Sequence, residues 1–277
     1  MPPEGTIRRE MEHLQGLPTI PVMLKKLLEA FNDPRLSLND IAGFVSNDPA
    51  LAGSLLKAVN SPLFGFVGRV TSITQALLLL GLNAAKGLLL GVAVFGLAKG
   101  LEGLWAHSVG TGIVARITAR QQALGEPEEL FVAGLLHDIG KIFLYVKFPD
   151  EYLRALALAR AEKAFIGHVE KQTFNSTHTE VAGWVLTRWH LPLRLIEPIR
   201  YHHQPSLSQK MAAETAIVHF SDVLARARGF GSGGDAFVPP VDERVWARLN
   251  LSKGDIKAIL CESDKLMQDT ESLLNNA

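Results

Sequence analysis

Length, composition and charge bound what this chain can be: its 277 residues are 47% hydrophobic and 20% charged, with a formal net charge of zero. So much apolar material can bury a large core in one extended domain or two, which excludes a disordered chain, and zero net charge provides no global field to attract nucleic acid or an anionic membrane. The single cysteine, Cys261, excludes an internal disulfide framework, and residues 1–4 lack the features of a signal peptide, so we expect a cytoplasmic protein.

The first predicted elements are short helices. Leu24, Leu27, Leu28 and Phe31 follow the spacing of one buried helical face. Ser37 with Asp40 predicts a capped helix start, and Asp48-Pro49 predicts an N-cap followed by proline in the first helical position. Asp33-Pro34 shows the same pairing, which indicates either a cap or a turn.

Two short helices between Ser37 and Asn60 also fit the outline of a helix-turn-helix. Its second helix would have to present hydrogen-bond donors to a major groove. Residues 49–60 offer Ser54, Lys57 and Asn60 but no arginine. The composition therefore favours packing as a regulatory subdomain over DNA recognition.

The apolar stretch from Ala76 to Leu97 is long enough to span a bilayer at about 1.5 Å per residue. Asn83 and Lys86 lie near its centre, and a lysine there is penalised by about 2.5–3.5 kcal/mol on insertion. Gly81 is typical of a helix stop, with a new start at Asn83. We expect two buried helices and no membrane span.

Glycines divide the rest of the chain. Gly96, Gly100 and Gly103 predict a boundary between an N-terminal helical subdomain, residues 1–100, and a histidine-rich helical subdomain, residues 101–277.

Residues 229–235 predict a flexible surface loop, since a phosphate cradle would need a following lysine and a strand before it. No run with the period of a strand occurs, so the predicted fold class is all-α.

The adjacent pair His137-Asp138 is the most informative feature, because an imidazole beside a carboxylate can bind metal ions. Both residues lie among apolar neighbours, where a charged carboxylate must be paired or bound to a cation. Asp138 can instead cap a helix or pair with Lys141, and His137 can be a core histidine. The choice between these interpretations depends on whether other parts of the chain supply further metal ligands.

Further candidate ligands lie on other predicted helices, with one residue or one adjacent pair on each. They are His107, His178, the adjacent pair His202 and His203, and Asp222. Neighbouring residues in a helix diverge by about 100°, so His202 and His203 can address two different partners. Such nitrogen and oxygen ligands suit one or two divalent ions, with iron or manganese favoured and zinc, nickel or cobalt as further candidates.

Ordered motifs extend the pattern over nearly the whole chain. In the first half they are Leu17-Pro-Thr-Ile-Pro, Asn47-Asp-Pro-Ala-Leu, Leu55-Leu-Lys-Ala-Val-Asn-Ser-Pro-Leu-Phe64 and Ile73-Thr-Gln-Ala-Leu-Leu-Leu-Leu-Gly81; in the second they are Trp105-Ala-His-Ser108, Gly134-Leu-Leu-His-Asp-Ile-Gly-Lys141, Glu170, His178, Trp189-His-Leu-Pro192 and His202-His-Gln-Pro205. On these residues the chain resembles the HD superfamily of metal-dependent phosphohydrolases, and more closely its HDOD branch, the HD-related output domains of bacterial signalling proteins. The resemblance implies a multi-helical HD-like bundle with an N-terminal helical subdomain.

The related HD-GYP phosphodiesterase pattern implies a ligand set when it is carried over position by position. Its metal-ligand positions match His107, His137, Asp138, His178, His202, His203 and Asp222. Lys141 matches a lysine beside the leaving group or phosphate, although a lysine at a helix end has the same appearance. Residues 206–221 contain neither glycine nor tyrosine, so the Gly-Tyr-Pro loop of that pattern is missing. A third metal is not implied, because Gly103 stands where an acidic residue would be needed.

Two functions of different classes remain open. One is a non-catalytic signalling module that acts through a protein partner or a nucleotide-type ligand and keeps its metal site for structure. The other is a metal-dependent phosphohydrolase in which Asp138 bridges the ions and Lys141 stabilises developing charge. The missing Gly-Tyr-Pro loop and the HDOD resemblance favour the signalling module, and the phosphohydrolase is the alternative, since function must be argued from the site and not from the fold alone.

Overall fold

A computed structural model describes residues 7–8, 22–124 and 126–274. The regular elements in these ranges are all helical, which confirms the predicted all-α class. In chain order they are α1 (Val22–Asn32), α2 (Leu38–Ser46), α3 (Pro49–Val59), α4 (Ile73–Leu80), α5 (Leu82–Phe95), α6 (Leu104–Gln121), α7 (Pro127–Leu136), α8 (Ile139–Lys147), α9 (Pro149–Glu162), α10 (Ile166–Phe174), α11 (His178–Arg188), α12 (Leu193–Tyr201), α13 (Ala212–Arg228), α14 (Glu243–Leu249) and α15 (Lys253–Leu274), with a 3₁₀ turn at Pro205–Leu207.

Local capping sets the starts of α2 and α3. Ser37 and Asp40 form a reciprocal capping box, and the Asp48 carboxylate accepts hydrogen bonds from the backbone N–H groups of Ala50 and Leu51. Both predicted caps are confirmed, since each satisfies donors that the first helical turn leaves free. Of the two alternatives for Asp33-Pro34, the turn is the one observed, and the Asp33 carboxylate accepts a hydrogen bond from Arg35.

A sharp bend at Gly81 divides the long apolar stretch. Gly81 has a φ of 78°, and α4 and α5 meet there at 113°. The Lys86 ammonium is buried and donates to Asn32 Oδ1 at 2.6 Å and to the His190 carbonyl at 3.1 Å. Within the described residues, no single helix combines the length and apolarity needed to cross a membrane. The predicted division into two helices is confirmed, with α5 starting at Leu82 rather than Asn83. Burial is confirmed for most of α5, whereas Leu78 and Leu79 of α4 are exposed.

Helix α6 is the central helix, and its residues from His107 to Ala119 are all buried. It packs against α7, α13 and α15. The contact with α7 is made backbone to backbone, because a Cβ added at Gly134 would lie 2.7 Å from the Gly112 Cα. Helix α5 packs on α7 and α8, so one hydrophobic core continues across the predicted boundary at residue 100.

The segment Gly229–Asp235, called the glycine-rich loop below, follows α13. Gly229, Gly231 and Gly234 have positive φ angles of 77°, 61° and 105°, which glycine adopts without steric cost. The prediction of a flexible surface loop is wrong in part: Gly233 is buried, and its carbonyl accepts a hydrogen bond from Lys141. The loop therefore packs against the half of the molecule that holds the histidines.

Candidate metal centre

The His137-Asp138 pair lies at the break between α7 and α8. His137 ends α7 and Asp138 precedes α8, and both side chains are buried. Lys141 Nζ lies 2.7 Å from Asp138 Oδ2, so the predicted ion pair is present. That pairing uses one of the two carboxylate oxygens and leaves the other for another partner.

The remaining candidate ligands come from four helices that surround this break. His107 lies in the first turn of α6, and Asp222 lies within α13. His178 begins α11, where a capping box of Thr177 and Glu180 fixes the helix start. His202 and His203 follow the end of α12. The structure thus brings all seven predicted ligands together, although sequence separates the outermost by more than a hundred residues.

Three of these residues form the first ligand group: His107, His137 and Asp222. Asp222 Oδ1 lies 3.0 Å from His107 Nε2 and 3.6 Å from His137 Nε2. Asp138 Oδ2 faces the same group, 3.3 Å from His137 Nε2 and 3.6 Å from His107 Nε2. Ligand atoms that each lie about 2.0–2.2 Å from one ion are separated by such distances.

The second ligand group consists of Asp138, His178, His202 and His203. Here Asp138 contributes its other oxygen: Oδ1 lies 3.3 Å from His178 Nε2 and 3.9 Å from His202 Nε2. The two oxygens of Asp138 therefore face different groups. A carboxylate in this position can bridge two ions held about 3.5–4 Å apart.

Hydrogen bonds fix the orientation of three imidazole rings. The Nδ1–H groups of His137 and His202 donate to the carbonyls of Gly134 and Ile199, at 2.6 and 2.8 Å. The Nδ1–H of His178 donates to Glu170 Oε2 at 2.6 Å. Since a carbonyl can only accept, each ring turns its Nε2 toward the centre, the arrangement typical of metal-binding histidines.

The buried atoms at the centre fit a metal. The Nε2 atoms of all five histidines and Asp138 Oδ1 are buried without a hydrogen-bond partner among the described residues. Such orphaned groups are costly in a protein interior unless an ion or water satisfies them. The donor set of imidazoles and carboxylates suits a borderline divalent ion. The described residues can therefore hold one ion in each group.

The two histidines of the first group differ in their electrostatics, since burial lowers the pKa of His107. Burial opposes the cationic form of His137, but Asp138 and Asp222 outweigh it and raise its pKa to about 9. Burial would also raise the pKa of Asp138, yet His137 and Lys141 hold it well below its usual range. Burial lowers the pKa values of His202 and His203 well below normal, so both are neutral at pH 7, as ligation requires.

Comparison with known proteins identifies the family. Residues 17–205 match the HDOD domain. The chain belongs to the HDOD family. Six of the seven candidate ligands lie inside the matched range, and Asp222 lies beyond it. The predicted resemblance is therefore confirmed for the family, whereas the role of each ligand stays a prediction.

Solved structures of other proteins share the fold. An HDOD domain protein of unknown function from Geobacter sulfurreducens is 28% identical, with 98% of this chain and 97% of that chain covered and a TM-score of 0.71. A Shewanella amazonensis protein provisionally named a phosphohydrolase is 18% identical over 95% and 98% of the two chains, with a TM-score of 0.69. An uncharacterized Treponema pallidum protein is 28% identical over 225 residues. This chain covers only 43% of that relative's length.

Several residues of the HDOD chain remain outside the two groups. His168 is exposed, His190 lies just after the end of α11, and His219 forms hydrogen bonds with the His202 carbonyl and the Asp242 N–H. Trp189 is buried in the core. His13 lies outside the described residues. Two other side chains have contacts that the sequence did not indicate: Arg226, which binds Asp222 at 2.8 Å, and Glu170.

Glu170 is a positioning residue that the motif comparison matched without assigning it a role. It is fully buried, and it accepts hydrogen bonds from the ring and backbone N–H of His178 and from the Tyr152 hydroxyl at 2.8 Å. No short sequence pattern reports a carboxylate placed behind a ligand in this way, because the contact depends on how α10 packs beside α11.

We expect Glu170→Gln to weaken metal binding at the second ligand group by about 10–100-fold, the range typical when a ligand loses its orienting partner. Titration with Mn²⁺ against a chelator of known affinity measures the effect. Glu162→Gln, an exposed change on α9, is the matched control. A drop in thermal stability with unchanged metal affinity would assign Glu170 a purely structural role.

Proposed function

We propose that this HDOD protein is a signal-transduction module organised around a dinuclear metal centre. The observation that carries the proposal is the sharing of Asp138 between two ligand groups whose ring nitrogens have no other partner. His107, His137 and Asp222 would hold one ion, and His178, His202 and His203 the other. Asp138 would bridge them, so that the metal state fixes the relative positions of the helices on which these residues lie.

Burial of the centre supports a signalling role over turnover. The ligand side chains are at most 1% exposed, apart from His203 at 14%. The segment after His203 forms a 3₁₀ turn and then enters α13, so it adds no glycine-rich or tyrosine-bearing loop for a substrate. The module would then act through contacts with a protein partner or a small ligand.

A metal-dependent phosphohydrolase is the second candidate, favoured by a cavity of about 660 Å³ beside the second ligand group. His178 and His203 line it together with Lys171, Arg200, Phe165 and Tyr201, which offer charge and aromatic surface to a nucleotide-type phosphoester. When bound, a metal pair supplies Lewis acidity and acidifies water. In this candidate Asp138 holds both ions and Lys141 stabilises the developing charge.

The position of Lys141 argues against turnover in this conformation. Its ammonium lines a separate cavity of about 280 Å³, together with Tyr152, Arg160 and Gly233. It donates to Asp138 and Gly233 rather than into the larger cavity. A phosphoester in the larger cavity would therefore lack this cation. Similar structures carry provisional names from both classes, and those names do not decide the matter.

Metal analysis joined to activity assays tests the proposal. We expect purified protein to carry about two ions per chain, and His107→Ala and His178→Ala each to lose about one, because the two changes fall in different groups of a two-metal site. His168→Ala, an exposed change, is the control. The loaded protein should cleave neither bis(p-nitrophenyl) phosphate nor nucleotides nor cyclic dinucleotides. Turnover that both histidine variants abolish would favour the phosphohydrolase, and protein that binds no ion would contradict both.

A further inference from the structure

The glycine-rich loop lies directly on the helix turn that carries His107. Ser232 N–H donates to the Gly103 carbonyl at 3.0 Å. A Cβ at Gly231 would overlap the Gly103 carbonyl oxygen and the His107 backbone nitrogen. Only glycine permits so close an approach of two backbones. The loop is therefore part of the wall around the first ligand group.

Two buried cations connect the loop to metal-ligand carboxylates. Lys141 Nζ donates to Asp138 Oδ2 at 2.7 Å and to the Gly233 carbonyl at 2.6 Å. Arg226 donates from Nε to Asp222 Oδ1 at 2.8 Å and from Nη1 to Asp235 Oδ1 at 3.1 Å. Each cation thus has a carboxylate of the centre on one side and the glycine-rich loop on the other.

The carboxylate oxygens that these cations hold also face the first ligand group. Asp138 Oδ2 and Asp222 Oδ1 both lie within 3.6 Å of the Nε2 atoms of His107 and His137. A divalent cation bound there would draw on the same oxygens and would repel the ammonium and the guanidinium at short range, in a setting where charges interact strongly. A metal ion in the first ligand group would therefore compete with Lys141 and Arg226 for these carboxylate oxygens.

We propose that metal occupancy of the first ligand group is coupled to the glycine-rich loop, with bound metal weakening the contacts of Lys141 with Gly233 and of Arg226 with Asp235. This coupling rests on the proposed metal centre. It would transmit the presence or absence of metal to the surface of the protein. Because such coupling is reciprocal, loosening the loop strengthens metal binding. A change in the loop would alter two cavities. Gly233 lines the cavity of about 280 Å³, and Phe237, two residues after the loop, lines the cavity of about 660 Å³.

Hydrogen–deuterium exchange on the full chain tests this coupling. Chelator-treated protein is compared with protein loaded with Mn²⁺, and the bound metal is counted in the same samples. We expect peptides covering residues 229–237 to exchange about tenfold faster in the loaded protein, as local opening becomes easier. Peptides from α3, which packs away from the centre against α4 and α5, should exchange equally in both states.

Asp235→Asn removes the negative charge that pairs the loop with Arg226, and Asp235 is not a metal ligand. We expect the metal-dependent difference in loop exchange to fall below about twofold and the Mn²⁺ affinity to rise, as reciprocity requires. Arg228→Met, on the same helix but paired with half-buried Asp264 rather than with the loop, should keep the wild-type difference.

The failures of the two proposals are distinguishable. If two ions bind and the loop exchanges equally with and without them, the coupling is overturned and the metal centre stands. If no ion binds, both fall. Should Asp235→Asn not fold, as circular dichroism would show, the wild-type comparison alone decides.

Discussion

Asp138→Asn is expected to weaken metal binding at both ligand groups by more than about 100-fold, beyond the loss caused by removing one ligand-orienting hydrogen bond. The reason is geometric: Asp138 Oδ1 lies 3.3 Å from His178 in the second group, and Oδ2 lies 3.3 Å from His137 in the first. Asparagine keeps the size of the side chain but removes its charge and one acceptor. Metal content after purification and Mn²⁺ titration both measure the effect.

A matched control and a second readout sharpen this experiment. Asp264→Asn changes a half-buried carboxylate that is paired with Arg228 outside the metal centre and should leave the metal content unchanged. In chelator-treated samples, Asp138→Asn should lower the free energy of unfolding by about 3 kcal/mol, because the buried Lys141 ammonium loses its counter-ion. An Asp138→Asn protein that retains both ions would contradict the bridging role.

The second large effect is expected at two glycines where helices meet backbone to backbone. A Cβ at Gly134 would lie 2.7 Å from the Gly112 Cα, and one at Gly140 would overlap the His178 carbonyl. Neither neighbour is the end of a flexible side chain, so the helices must move apart. We expect Gly134→Ala and Gly140→Ala each to lower the free energy of unfolding by about 1–3 kcal/mol. Urea unfolding of chelator-treated protein measures this.

Two other glycines provide controls, because alanine at these positions is expected to raise the free energy of unfolding rather than lower it. Gly43 and Gly53 lie within α2 and α3, and an added Cβ there would meet nothing within 4 Å. Alanine should therefore stabilise the chain at each site by about 0.5–1 kcal/mol, through the lower entropy of its unfolded state. Gly134→Ala should also weaken metal binding at the first ligand group, since α6 and α7 carry His107 and His137. Equal stability of all four variants would contradict the packing described here.

Local features of the fold could be predicted because neighbouring residues decide them. The capping box of Ser37 and Asp40, the Asp48 cap and the break at Gly81 depend on a few consecutive positions. The family resemblance then indicated which histidines and aspartates belong together. It did not indicate that His137 and Asp138 lie at a break between helices, because the apolar run around them continues through both α7 and α8.

Contacts that depend on how the chain turns between neighbouring elements could not be predicted in this way. Glu170 supports His178 only because α10 and α11 place them side by side, and Arg226 bridges Asp222 and Asp235 only because the glycine-rich loop folds back. Composition likewise assigned that loop to the surface, since glycine-rich segments are usually flexible. The burial of Gly233 beside Lys141 and the close approach of Gly231 to the His107 backbone arise from close backbone packing, which leaves no signature in residue spacing.

The dinuclear centre is tested most directly by anomalous diffraction from crystals of the wild-type protein, with data collected on both sides of the absorption edge of the bound metal. Our account predicts two anomalous peaks on either side of Asp138, one among His107, His137 and Asp222 and the other among His178, His202 and His203. The same crystals soaked in chelator should lose both peaks. No peak at either group in metal-supplemented crystals, or a peak bound away from Asp138, would contradict it.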